Sequence, residues 1–301
     1  MQMTILAMAT VALFVAGPLT ARSETPHRFG VQFGTTAEFH AGLLAQEVAQ
    51  PPRPQLSDAE IEHFLLEARV VKTRSAGKGV TGSLRATLTD GVMTHDAHIQ
   101  SIDERKTQFD APGAVEFNFR DSWMYNVAAY RLDRMLGLNF VPVSVSRRWR
   151  TAPAAFTWWV DDVMMEEGER LKKKMSPARP AEWNEEMQLV RLFDQLIYNV
   201  DRNLGNLLIT KDWRVWAIDH TRAFRTHKTL KSPANVTRCD RQVLQRLKDL
   251  DRASLKRELG DYLSDFEIDS MLARRDAIVA MIDKGGPGAV FERMRKSPVG
   301  T

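Results

Sequence analysis

The stretch LIYNVDRNLGNLLI, residues 196–209, does most to limit what this chain can become. An apolar run that reads as the end of a buried helix passes through Asp201, Arg202, Asn203, Gly205 and Asn206, then turns apolar again. Polar groups beside a core cost free energy unless they are paired or put to use. Upstream, AEWNEEMQLVRLFDQLIYNV sets Leu189, Leu192, Phe193, Leu196 and Ile197 on one helical face. Downstream, NLLIT and RVWAID read as two short strands joined at a Lys211-Asp212 turn. Such a hairpin brings its outer ends together. Asp201 past the helix, Asn206 at the hairpin's start and Asp219 at its end are therefore expected to converge on one cleft.

The rest of the chain supplies the setting. Ser57 and Asp58 are capping residues for a short helix in SDAEIEHFLLEA. Val70 and Val71 mark a strand, and Leu84, Ala86 and Leu88 alternate with polar residues as in a half-buried one. MTHDAHIQSID makes a third strand after an Asp90-Gly91 turn. A helix is expected from Asp121 through YNVAAYRLDRML, stopped by Gly137. Two further strands follow, VPVSVSRRW and AAFTWWVDDVMM, and helices end the chain after the hairpin. This order predicts an α+β protein, with a β-rich N-lobe over 57–166 and a helical C-lobe over 167–301.

Residues 1–22 have an apolar core from Ile5 to Gly17, the length of a signal-peptide core and short for a membrane span. We read them as an export signal without a lasting span, a membrane-tethered or cytoplasmic N-terminus being the alternatives. Residues 23–56, ending in QPPRPQ, read as a linker arm. A net charge of +4, spread along 301 residues, argues for no nucleic-acid partner. The single Cys239 excludes an internal disulfide and a cysteine metal site, and reads as a small buried residue.

Two features carry chemistry. GKGVTG fits G-x-G-x-x-G at Gly77, Gly79 and Gly82, but a strand follows it rather than a helix, so it is a hairpin tip and not a dinucleotide loop. Such a tip either covers nucleotide phosphates with bare amides or needs glycine only for its turn. The Asp201-x-x-x-x-Asn206 spacing, with Asp219 beyond it, is the layout phosphoryl transfer requires. One carboxylate orients a hydroxyl, while an amide oxygen and a second carboxylate hold Mg²⁺ or Mn²⁺, which prefer hard oxygen ligands.

NVDRNLGNLLI…WAIDHTRAF resembles the atypical kinases around the phosphatidylinositol 3/4-kinases, the Fam20-type secretory kinases and the HipA-like kinases. YNVAAYRLDRMLGLNFVP looks like the N-lobe helix of the same group. The resemblance spans roughly residues 65–225 and implies a bilobal protein-kinase-like fold using ATP and Mg²⁺. By position it makes Asp201 the catalytic base and Asn206 and Asp219 the metal ligands. Gln100 stands where the family places its ATP-contacting lysine, and Asn126 where it has the partner glutamate. A hydrogen-bonded Gln100–Asn126 pair would lack the positive charge. Lys106 and Glu116 are an alternative pair from shifted positions, and Lys72 and Lys78 are further candidates for phosphate.

His95 and His98, three apart in a strand, make a poor metal pair. His220 reads as a structural histidine. Trp158, Trp159, Met164 and Met165 are candidates for the core or the adenine site, and Arg222 and Arg225 for a substrate phosphate. The functional expectation is an ATP-dependent phosphotransferase acting on a hydroxyl of a protein, lipid or small molecule. The alternatives are a kinase-fold binding or scaffold protein with little turnover, and a metal-binding protein of another kind.

Overall fold

The computed structural model describes residues 56–76, 83–111 and 114–294. The expected signal segment, most of the linker and the Gly77, Lys78, Gly79 and Gly82 loop lie outside them.

Helix α1 (Asp58–Glu67) begins on Ser57, whose hydroxyl accepts from the Glu60 amide while the Glu60 carboxylate accepts from the Ser57 amide at 2.7 Å. This reciprocal cap satisfies two otherwise orphaned donors. Strands β1 (Arg69–Ser75), β2 (Leu84–Thr89) and β3 (Thr94–Gln100) follow as an antiparallel meander. Ala86 and Leu88 of β2 are fully buried, as the alternation requires. Next come β4 (Asp103–Ala111) and β5 (Ala114–Ser122), which pair only with each other. Helix α2 (Met124–Leu136) precedes β6 (Ser144–Trp149) and β7 (Ala152–Trp158). The main sheet is antiparallel in the order β1-β2-β3-β7-β6, with α1 and α2 packed against β6 and β7.

The second part opens with β8 (Val163–Glu166), α3 (Glu167–Lys172) and the long α4 (Pro180–Leu196). Strands β9 (Leu207–Thr210) and β10 (Val215–Ala217) form the expected hairpin, and β8 completes a sheet in the order β10-β9-β8. β11 (Cys239–Asp240), α5 (Arg241–Asp249), α6 (Arg252–Leu259) and α7 (Asp265–Gly285) follow. β12 (Val290–Phe291) pairs in parallel with β11. Leu189, Leu192, Phe193, Leu196 and Ile197 of the α4 region are buried in the core that runs through both parts. Cys239 is buried, and burial pushes its thiol up to about 12. Among the described residues, no helix is long and apolar enough to cross a membrane.

Three expectations need correction. The helix does not begin at Asp121, because Asp121 and Ser122 end β5. The segment AAFTWWVDDVMM is not one strand: Ala152–Trp158 joins the main sheet, while Val163–Glu166 crosses to the β9 hairpin. Lys106 and Glu116 do not pair with each other: Lys106 meets Glu104 at 2.9 Å, and Glu116 meets Arg222 and Arg225.

Candidate active site

Past α4 the chain turns sharply, with Tyr198 at φ +49°. Asn199 is buried, donating from its amide to Asp194 Oδ1 at 3.1 Å and accepting from the Asp201 amide at 3.0 Å. The Val200 amide donates to the Arg222 carbonyl at 3.3 Å and the Phe224 amide to the Ile197 carbonyl at 2.5 Å. The segment before Asp201 is thereby laced to the segment after Asp219. Asp201 itself keeps a half-exposed carboxylate, 48% accessible, with Arg222 Nη1 at 4.0 Å.

Arg202 explains the polar run. Its Nε donates to Asp194 Oδ2 at 3.0 Å, and Nη1 to the carbonyls of Asn206 at 3.0 Å and Ile218 at 2.8 Å. Nη2 lies 2.9 Å from His220 Nε2. Since guanidinium only donates, Nε2 must accept, which leaves the proton of the neutral ring on Nδ1. Burial, then the Arg202 charge, hold the His220 imidazole well below its ordinary pKa. One side chain thus ties α4, the turn at Asn206 and the strand end at Ile218. The signal was present in the sequence: Asp194 is a carboxylate on the buried side of an amphipathic helix, so it had to have a cation.

Asn206 ends a short 3₁₀ turn whose cap is Asn203, accepting from the Gly205 amide at 2.9 Å. Its side-chain nitrogen donates to the Asp201 carbonyl at 3.4 Å, which leaves Oδ1 on the other side of the amide. The Ile218 amide donates to the Asn206 carbonyl at 3.0 Å, so the residue before Asp219 is bonded to Asn206. Asp219 is exposed and sits at φ +56°, a region a non-glycine residue occupies only when its surroundings hold it there. The Thr221 hydroxyl donates to its Oδ1 at 3.1 Å. Hard oxygens from Asn206 and Asp219 suit Mg²⁺ or Mn²⁺. Among the described residues, no three His, Cys, Asp or Glu side chains form a cation cage.

The first part contributes from above. Asn126, buried on α2, accepts the His220 amide at 2.8 Å, so the helix grips the residue that follows Asp219. The buried Gln100 at the end of β3 accepts the Ile102 amide at 3.0 Å. The side-chain oxygen of each thus accepts a backbone amide. His98 shares a β3 face with Gln100, and burial lowers its pKa against the pull of Asp219. The Ser122 amide donates to the Thr221 carbonyl at 2.9 Å. Glu116 of β5 bridges Arg222 and Arg225, at 2.6 Å to Arg225 Nη2. Asp121 is 7% exposed, and burial raises its pKa. Neither the burial of Asp121 nor the partners of Glu116 were legible in the sequence, because both lie on the β4–β5 ribbon.

A cavity of about 690 Å³ lies beside these residues, between β5, the Phe224–His227 segment and the start of α7. Arg105, Lys106, Arg120 and Arg225 give its wall a basic character. Asp201, Asn206 and Asp219 do not line it.

No model of a known protein family matches this sequence, and no curated protein matches it. Solved structures do match its fold. The structure of hydra Fam20 with sugar has a TM-score of 0.60 at 14% identity, over 79% of this chain and 94% of that one. The Golgi casein kinase with Mn and ADP bound gives 0.57 at 13%, over 79% and 80%. A further Golgi casein kinase structure gives 0.55 at 14%, over 80% of each chain. These likenesses do not bear on the resemblance to phosphatidylinositol 3/4-kinases or HipA-like kinases. The chain has a protein-kinase-like α+β fold, with a sheet-rich first part and a helical second part.

Proposed function

We propose that this protein is a kinase-like phosphotransferase that moves the γ-phosphoryl group of ATP to a hydroxyl acceptor. The observation that carries this reading is the clamp formed by Arg202 and the Asn206–Ile218 backbone bond, which ties the turn at Asn206 to the residue before Asp219 and leaves Asp201 beside Arg202. Asp201 accepts a hydrogen bond from the acceptor hydroxyl and takes its proton as the acceptor oxygen bonds to the γ-phosphorus and the bond from that phosphorus to the β–γ bridging oxygen breaks, releasing ADP. Asn206 and Asp219 hold Mg²⁺ or Mn²⁺, which when bound neutralises phosphate charge. Arg202 keeps both segments in register, and the exposure of Asp201 leaves room for an acceptor. The bound Mn and ADP of the Golgi casein kinase support the choice of nucleotide and metal, and the sugar of hydra Fam20 supports a hydroxyl acceptor.

A binding protein with little turnover is the second reading, favoured by Gln100 and Asn126, two neutral side chains each held by a backbone amide. A thermal-shift titration of the full chain with ATP, GTP and ADP, with and without Mg²⁺ or Mn²⁺, tests what the two readings share. Both expect stabilisation that needs metal and nucleotide together and disappears in Asp219→Ala. Absence of any nucleotide effect sinks both. Phosphate transfer to candidate acceptors then separates them. Under the first reading Asp201→Asn keeps binding and loses about 10²- to 10⁴-fold in rate.

A further inference from the structure

Asp121 is a carboxylate near Asp219 that the phosphotransferase reading leaves unused. It ends β5, is 7% exposed, and its Oδ1 has no hydrogen-bond partner. Its surroundings hold the Asp219 carboxylate, the Arg222 guanidinium and Glu104 within electrostatic reach. The Thr221 hydroxyl serves both Asp121 and the Oδ1 of Asp219. A hydroxyl carries one proton, so it cannot donate to two carboxylates at once. The Ser122–Thr221 backbone bond supports this arrangement, since it anchors the residue after Asp121 to the residue two past Asp219. Arg222 offsets part of the charge: its Nη2 is engaged by Glu116, its Nη1 lies near Asp201 and its buried Nε has no partner.

A buried carboxylate with an unpaired oxygen, beside a second carboxylate, is costly in the protein alone. A divalent cation between them removes that cost with hard oxygen ligands. We propose that Asp121 is a cation ligand, holding Mg²⁺ or Mn²⁺ jointly with Asp219. The proposal rests on the phosphotransferase reading and deepens it. α2 offers the neutral Asn126, which is occupied by the His220 amide, so the first part of the fold supplies its anionic oxygen from the strand before the helix instead.

Mn²⁺ titration of the full chain tests this, following the electron paramagnetic resonance signal of free Mn²⁺ alone and with ADP. Asp121→Asn is close in shape and removes only charge. It is expected to weaken Mn²⁺ binding by at least about tenfold, as loss of a ligand does, while the metal-free melting temperature does not fall. Asp121→Ser, small enough for the buried position, is the second variant and reads the same way. Mn²⁺ affinity equal to the parent's in either folded variant, with binding lost in Asp219→Asn, overturns the role of Asp121 and leaves the phosphotransferase reading intact. A parent that binds no Mn²⁺, with or without ADP, overturns both.

Discussion

At the scale of the residue, Arg202 has the greatest leverage. Its guanidinium is mostly buried against Asp194, two carbonyls and His220, so truncation strands a buried carboxylate and removes a donor from the carbonyls of Asn206 and Ile218. Arg202→Ala is expected to cost about 3–5 kcal/mol, read by urea unfolding, and to abolish nucleotide-dependent stabilisation. His220 sets a pH dependence. Its folded pKa is depressed, so below the unfolded value near 6.5 the unfolded chain binds the extra proton. Its contribution is therefore complete above about pH 6.5 and lost as pH falls, by up to about 1.4 kcal/mol per unit. His98, also lowered, acts with the same sign. Unfolding free energies at pH 7.5 and 5.5 should show the loss, and a folded His220→Gln variant should show a smaller one.

At the scale of the element, the turn after α2 depends on one buried carboxylate. Asp133 accepts from the amides of Asn139, Phe140 and Val141 at 3.0, 3.1 and 3.2 Å and is paired with Arg134. Asp133→Ala strands those donors and is expected to cost about 3 kcal/mol or more by chemical denaturation. Gly137 caps α2 at φ +63°, and an added Cβ would lie 1.3 Å from Arg246 Nη1. Gly137→Ala should lower the melting temperature through backbone strain at positive φ, the flexible end of Arg246 being free to move aside. Elements with a buried face were legible: the β2 alternation and the apolar side of α4 mark where the core lies. The β4–β5 ribbon was not, because it has little core contact to impress a period on its sequence, and Phe117 is 69% exposed. β8 was misplaced because its partner β9 lies about forty residues away, and short apolar runs do not name their partners.

At the scale of the whole molecule, the residues around the candidate site come from both parts of the fold. α2 holds the His220 amide, β5 holds the Thr221 carbonyl, and Glu116 reaches Arg222 and Arg225. Ligand binding should therefore stabilise the entire fold, by about 2.7 kcal/mol at a ligand concentration a hundredfold above Kd. Glu116→Gln should reduce that ligand-linked gain more than the stability of the unliganded protein, seen by comparing melting shifts with and without Mn²⁺ and ADP. The spacing of Asp201, Asn206 and Asp219, the hairpin between them and the helix before them were all written locally. Local order reflects turn chemistry and hydrophobic period, which neighbours in sequence decide. The partners of those residues were not: Asp121 beside Asp219, Asn126 on the His220 amide, and Glu116 across from Arg225 are contacts over roughly a hundred residues. Only burial of the shared core brings such groups together, so the tertiary structure alone decided which polar residues surround the site.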